Sequence, residues 1–549
     1  MADAGQNDIG NRLVRLLDEQ NLIIPISVVF MQEVTNLGRV DLVYELLLTN
    51  GLLGDLTVDG KNCVKSAEFR KKGTEAFVKK KGELAVELYT QSVAHAEKNS
   101  KELAFAYGNR SAVLFEWGLY KECLEDIERA IQNNYPKDVI GKLENRKSKA
   151  IELLPSQFPI GFLTTPPEIP EKDRNPLIDC ATNLVKIENS NTDGRRVIAC
   201  RDIEPGEIIA IEDPIFKYPL EKLFTHCHHC LKLCYNLIPC EKCTQTLYCN
   251  EKCLEDAKMY HKYECPILLT MKDYEINDLE LMSMKIALVV RDKYDCLDQL
   301  ATTDGSGVYR SDRYDEIHNL VGNTEKRCMA DLFNRAATSA TLFYLVKHFT
   351  SFFGDEQDSK YEDIFKELVL FHRQTAPCNF HEITERIGSG EPYSIGTGAY
   401  SFLSLFNHSC CPNVVRYSYG STAILIAEEL IKKGQQCYDN YGYHYALMPK
   451  LERQAKLKKQ YFFNCTCEAC EKDYPLYHNL PIILTLGQIS LEDIRFIQDG
   501  NLEEAKRIYK EVAVKIRSVY QLKPNKNLAD LQEALKACYF LFETIKTPF

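Results

Sequence analysis

The chain has 549 residues, 45% of them hydrophobic and 26% charged, which at about 150 residues per domain suggests roughly three to four domains. Ordinary glycine and proline contents exclude collagen-like and low-complexity classes, and a net charge of −11 excludes a protein that coats nucleic acid through a generally basic surface. The most apolar early run, Asn21–Met31, is too short to span a membrane and is broken by Pro25. The opening MADAGQND lacks the basic region of a secretory signal, so the chain is expected in the cytosol or nucleus. Clustered cysteines in such a reducing compartment read as metal ligands rather than disulfides.

Residues 8–56 alternate apolar and polar positions at helical spacing and predict two or three helices within an N-terminal segment, 1–66. Residues 67–154 read as a helical repeat. Gly73, Ala85, Tyr89 and Ser92 recur as Ser111, Cys123, Ile127 and Ala130, an offset of 38 residues. That is one helical turn longer than the tetratricopeptide period of 34. Small residues at these places let antiparallel helices approach closely. A proline-rich linker, 155–176, follows. Segment 177–226 is β-rich (RVIAC, IIAIEDPIF), 227–265 holds a cysteine cluster, and 266–390 is helical by pattern. Short strands return over 391–443. A second cysteine cluster falls in 444–475, and 476–549 is helical again. The expected class is therefore multidomain α+β.

Eight of the 22 cysteines lie between Cys227 and Cys265. Cys227-x2-Cys230, Cys240-x2-Cys243, Cys249-x3-Cys253 and His261-x3-Cys265 form four ligand pairs. Structural zinc takes four N/S ligands, so eight imply two ions. Cys234 and His229 fall outside the spacing and are read as loop residues. Cys465-x-Cys467-x2-Cys470 lacks a fourth ligand, and spacing alone does not choose among Cys410, Cys411 and Cys437.

The stretch CHHC, PCEKC, YCNEKC, YHKYEC resembles a MYND finger. In that family the pairs interleave, which implies Cys227, Cys230, Cys249 and Cys253 at one ion and Cys240, Cys243, His261 and Cys265 at the other. The tryptophan usual in its last helix is absent; the only one here is Trp117. Asp193-Gly194-Arg195-Arg196, then Asn407-His408-Ser409-Cys410, Asp439-Asn440-Tyr441-Gly442 and YFFNCTC at 461–467 together look like a split SET domain with a post-SET zinc site. The combination resembles the SET and MYND domain-containing protein-lysine methyltransferases, in the branch with N-terminal tetratricopeptide repeats. The resemblance implies methyl transfer from S-adenosylmethionine to a lysine of a protein substrate, three zinc ions, and Cys410 as the missing ligand. It implies catalytic roles for Tyr441 and Tyr461, and cofactor contacts from Gly194, Arg195, Arg196, Asn379, Asn407, His408, Tyr441 and Phe463. Arg196 departs from the family's Gly-x-Gly loop. A non-catalytic or weakly catalytic adaptor, binding protein partners through finger and repeats, is the alternative.

Arg70, Asn109, Lys142 and Arg146 stand where chaperone-binding repeats carry a carboxylate clamp for an acidic C-terminal peptide. Thr74 replaces an expected Asn there. The finger is a second expected site for protein partners; nucleic acid and membranes are not expected as partners.

Overall fold

A computed structural model describes residues 8–190, 194–220, 222–293, 299, 305–354 and 359–548. Helices α1 (Ile9–Glu19), α2 (Ile23–Gln32) and α3 (Asn36–Thr49) open the chain. Two antiparallel hairpins follow, α4 (Cys63–Val78) with α5 (Gly82–His95) and α6 (Lys101–Glu116) with α7 (Tyr120–Gln132), and then α8 (Ile140–Leu153). Glycines set how closely these helices approach. A Cβ built on Gly73 would meet the Tyr89 ring at 2.7 Å, and one on Gly108 would meet the Tyr135 ring at 2.7 Å. The proline-rich stretch is more than a linker. Its β1 (Gly161–Phe162) pairs antiparallel with the last strand of the chain, Ile545–Lys546, so the two ends of this half of the molecule are tied together.

Strands β2 (Arg174–Asn175), β3 (Ile178–Thr182), β4 (Val185–Ser190), β5 (Gly194–Ala199), β6 (Ile208–Glu212) and β7 (Phe216–Pro219) come next. The cysteine-rich insert adds β8 (Ile238–Pro239), β9 (Leu247–Tyr248) and α9 (Glu251–Glu264). Then come α10 (Leu268–Asp273), α11 (Asp278–Val290), α12 (Tyr314–His318), α13 (Met329–Phe349) and α14 (Ser359–Asn379). The stretch expected to be helical to 390 ends earlier, because His381–Glu385 forms β10. Its alternating HEITE sequence buries Ile383 and Glu385 and pairs with β11 (Tyr393–Ala399). Strands β12 (Asn407–His408), β13 (Val414–Tyr419), β14 (Thr422–Ala427) and β15 (Tyr438–Asp439) complete the core. Helices α15 (Lys450–Tyr461), α16 (Glu468–Glu471), α17 (Leu491–Gln498), α18 (Leu502–Val519), α19 (Lys526–Phe542) and strand β16 (Ile545–Lys546) finish the chain.

The largest sheet runs β13-β14-β6-β3-β2, beside a three-stranded sheet β10-β11-β7 and the hairpin β4-β5. The short parallel pair β12-β15 sets Asn407 opposite Tyr438 and His408 opposite Asp439. Among the described residues no helix is long and apolar enough to cross a membrane.

Among the described residues the opening helices pack chiefly on α13 and α14. Ile9, Leu13 and Leu17, one turn apart on α1, are buried with Phe30, Val43 and Leu47 against Phe333, Ala336 and Ala340 of α13. Asn36 donates to Glu367 at 2.6 Å and accepts from Gln374 at 2.8 Å, both on α14.

The hairpins instead join the cysteine-rich insert. Arg110, fully buried, grips Asp126 through two bonds of 2.7 and 2.9 Å and donates to the Leu237 carbonyl at 3.0 Å. Removing Arg110 leaves the buried Asp126 carboxylate with Arg129, at 3.2 Å, as its remaining cation, so a buried charge loses most of its compensation. Arg110→Ala should therefore destabilise the protein by about 3–5 kcal/mol, read by thermal or urea unfolding. Replacing Arg110 and Asp126 together with Met and Leu should cost less than either single loss.

Candidate active site and metal centres

Three sets of four side chains converge: Cys227, Cys230, Cys249 and Cys253; Cys240, Cys243, His261 and Cys265; and Cys410, Cys465, Cys467 and Cys470. Within each set the ligand atoms lie within 4.8 Å of one another. Individual separations are 3.5 Å (Cys249–Cys253), 3.7 Å (Cys240–Cys265), 3.6 Å (Cys243–His261) and 3.6 Å (Cys410–Cys470). A disulfide needs about 2.05 Å, whereas sulfurs at about 2.3 Å from a tetrahedral zinc stand about 3.8 Å apart. Thiolates are what a metal binds, so the donor chemistry fits zinc in all three. Cys411 stays outside the third set, its thiol 3.5 Å from Ser409 Oγ. Cys234 and His229 lie outside the other two, bonded to Asn236 and Tyr260.

His408 connects the third set to Tyr441. The Tyr441 backbone N–H donates to Nδ1 at 3.1 Å, so the ring proton sits on Nε2, which faces Cys410 Sγ at 3.3 Å. Burial lowers His408 to about 4, so the ring is neutral at physiological pH. Both ring nitrogens are thus committed to protein. The ring thus positions Tyr441 and Cys410. Asn440 locks the same turn by donating to the Ser409 carbonyl at 2.9 Å.

The Tyr441 hydroxyl donates to the Phe406 carbonyl at 2.9 Å. With its proton engaged, the phenol oxygen offers acceptor lone pairs. Burial, reinforced by Asp439, raises its pKa, so it stays protonated at neutral pH. The Tyr461 ring lies 4.7 Å from that of Tyr441, and Phe463 lies 6.1 Å from His408. Between them Phe462 caps α15 with φ 62°, a left-handed conformation rare for a bulky residue, under the Arg327 guanidinium at 5.2 Å. That reversal turns Tyr461 and Phe463 towards one wall. Gln460 holds the helix end: it donates to Pro377 O at 3.1 Å and to Tyr461 Oη at 3.2 Å, and accepts from Tyr443. Neither Gln460 nor the turn at Phe462 had a signal in the sequence.

Asn379 is buried at the end of α14. Its amide hydrogens go to the Val321 and Thr375 carbonyls, both at 2.8 Å, which fixes the side chain at the end of the helix. Asn407 precedes His408 on β12. Gly194, at φ 68°, closes the β4–β5 hairpin, and no atom lies within 4 Å of where its Cβ would be. Asp193 lies outside the described residues. Arg195 donates to Glu316 at 2.9 Å and to the Asn319 carbonyl at 3.1 Å, which ties the hairpin to α12. Arg196, the departure from Gly-x-Gly, sits opposite Glu188 and bonds it at 3.1 Å, an ordinary cross-strand ion pair. A cavity of about 900 Å³ opens here, lined by Asn189, Arg195, Glu316 and Asn319 among others. Of the expected cofactor residues only Arg195 lines it.

On the helical hairpins, Asn109 and Tyr89 both donate to Thr74 Oγ, at 3.4 and 3.1 Å. Arg70 stacks 5.2 Å over Phe105, and Lys142 is exposed. Arg146 donates to the Gly108 carbonyl at 2.8 Å and to Ser111 Oγ at 2.7 Å, and burial lowers its pKa.

A strand-built core, a histidine-fixed tyrosine and a cysteine site behind it define a SET-domain protein, and the SET domain family model matches residues 194–442. The protein-lysine N-methyltransferase SMYD4 of Danio rerio is 26% identical over 502 residues, covering 74% of this chain and 65% of that protein. SMYD4 of Homo sapiens is 24% identical over 545 residues, covering 75% and 68%. The N-lysine methyltransferase SMYD2 of Homo sapiens is 25% identical over 280 residues, covering 50% and 58%. The chain thus spans about two thirds of the length of the SMYD4 proteins. It is similar to the SMYD4 and SMYD2 lysine methyltransferases and carries a SET domain over 194–442.

Proposed function

We propose that this chain is an S-adenosylmethionine-dependent protein-lysine methyltransferase. The observation that carries this reading is the fixed Tyr441: its proton is held by Phe406, its backbone by His408, and its ring by Tyr461. When bound, S-adenosylmethionine would supply an electrophilic methyl group to the neutral amine. The chain's own residues align and exclude. Tyr441 Oη accepts an N–H of the incoming amine and so turns the nitrogen lone pair towards the methyl group. Tyr461 and the neighbouring aromatic wall strip water from the ammonium, which lowers its pKa from about 10.4 and favours the neutral nucleophile. The Asn379 and Asn407 amides and the backbone around Gly194–Arg196 would hold the polar ends of the cofactor, and Phe463 would face an apolar part of it. The donor set of amides and aromatic faces suits such a ligand.

In the same reading the cysteine-rich insert is a MYND finger with two zinc ions, offering a surface to protein partners, and Cys410, Cys465, Cys467 and Cys470 hold a third ion. The chain works in the cytosol or nucleus. Methyl transfer from labelled S-adenosylmethionine to proteins of a cell extract tests the function. Absence of any transfer by zinc-replete protein that binds the cofactor would favour the adaptor instead.

The hairpins α4–α7 and helix α8 form the tetratricopeptide module of this reading, and Arg70, Asn109, Lys142 and Arg146 its carboxylate clamp. Arg146 is half-buried and, among the described residues, forms no ion pair with a carboxylate, which supports an anionic guest on that face. Lys142→Glu should weaken binding of a chaperone-type acidic C-terminal peptide by about 2–5 kcal/mol in calorimetry and leave cofactor affinity unchanged. Equal affinity of both proteins would leave a merely solvated basic face.

A further inference from the structure

The helix that ends at the site carries an exposed face that the fold does not use. Around α15, Arg453 and Leu457 point inward and are fully buried, Arg453 donating to Cys470 Sγ at 3.7 Å. The opposite stripe, Leu451, Ala455 and Lys458, follows the i, i+4, i+7 spacing of one helix face and is exposed, with Lys459 beside it. Leu447, in the turn just before the helix, is exposed as well. Leu447 and Leu451 are each 82% exposed, far more than a lone surface leucine needs to be.

The charge on this helix runs against that of the whole molecule. The chain carries −11, yet α15 bears Lys450, Lys456, Lys458 and Lys459 on its surface against Glu452 alone. Glu452 pairs with Lys456 at 2.9 Å. Among the described residues Lys458 and Lys459 form no ion pair. They lie in the last turn, immediately before Tyr461, whose ring faces Tyr441. Helix axis and chemistry therefore meet: cations next to the channel wall, leucines further back.

We propose that this face of α15 docks the substrate polypeptide beside its target lysine and selects for acidic residues next to that lysine and an apolar residue further along. The inference rests on the methyltransferase reading and names its substrate class. Leu451 is ten residues from Tyr461, about 15 Å along a helix rising 1.5 Å per residue. An extended peptide covers that distance in about four to five residues at 3.3 Å each. The preferred sequence thus has Asp or Glu within about two positions of the lysine and a leucine-like residue four to five positions away.

The test uses the full chain with zinc bound. The probes are two fluorescein-labelled peptides, each with one lysine, two adjacent glutamates and a leucine five positions before or after it. A control carries serine in place of the glutamates and leucine. One of the two probes should bind at least about tenfold more tightly than the control, as expected for paired rim charges plus a buried leucine. Leu447→Ser/Leu451→Ser and Lys458→Glu/Lys459→Glu should each remove that preference, while S-adenosylmethionine affinity stays unchanged. In transfer assays the same variants should raise KM for the probe and retain kcat.

Equal binding of probes and control by the wild type, or unchanged binding by both variants, overturns the proposal. So does a concentration-dependent dimer that the leucine variant abolishes while probe binding persists, since the face then seats a second copy. Because peptide binding is read without catalysis, the two readings fail separately. Probe preference with no transfer to any protein removes the methyltransferase and leaves an acidic-peptide docking face. Transfer to extract proteins with no probe preference removes the docking face alone.

Discussion

Replacing Tyr441 by Phe should cut methyl transfer about a hundredfold to a thousandfold and leave S-adenosylmethionine affinity within about twofold. The hydroxyl proton is engaged by Phe406 O at 2.9 Å, so what the mutation removes is the acceptor that orients the amine. The ring and its backbone bond to His408 remain, and with them the shape of the wall. The rate in wild type should rise with pH until the bound lysine is neutral, because only the free base attacks. Tyr441 adds no titration of its own below that point, since burial and Asp439 raise its pKa further above neutrality. Stopped assays from pH 6 to 10 on both forms read rate and profile together. Equal rates for the two forms would remove this assignment of the tyrosine.

Cys467→Ala should lower zinc content from three to two per chain and abolish transfer, though the change touches no expected substrate contact. Elemental analysis and the transfer assay measure the two effects. The third cysteine set is wired into the site from two sides. The Cys410 backbone N–H donates to Cys467 Sγ at 3.3 Å, and His408 faces Cys410 Sγ while accepting from Tyr441. From the other side Arg453, buried on α15, donates to Cys470 and so anchors the helix that ends in Tyr461. Structural zinc contributes folding free energy directly, and a ligand set reduced to three loses most of it. Cofactor binding should weaken as well. That separates this variant from Tyr441→Phe, which spares it. A content of three zinc ions in the variant would mean that Cys411 had replaced the missing thiol.

The metal sets were legible because their spacing is local. Pairs such as Cys227-x2-Cys230 declare themselves within one turn of chain, and the structure brings each into a four-atom cluster. The choice of Cys410 for the third set was not local, since 55 residues separate it from Cys465, and only resemblance pointed to it. Tyr441, Asn407 and His408 were expected at the site on the same ground. What His408 does was not: the use of both its nitrogens depends on β12 and β15 lying side by side. The helices over 8–56 could be read from periodicity, but not their destination. Helical patterning tells which face is buried and is silent on what buries it. The strand at His381–Glu385 was hidden because five residues of alternation weigh little beside a long helical pattern.

That destination has a consequence. Asn36 on α3 is clasped by Glu367 and Gln374; one residue beyond, Thr375 O receives the amide of Asn379. A splint with no chemistry of its own thus steadies Asn379, the residue expected to contact the cofactor, from more than three hundred positions away in the chain. Prising the first fifty residues loose would slacken the pocket as surely as altering its lining. An antibody fragment or small protein that seizes those helices therefore has leverage over the reaction without ever approaching the lysine or the methyl group.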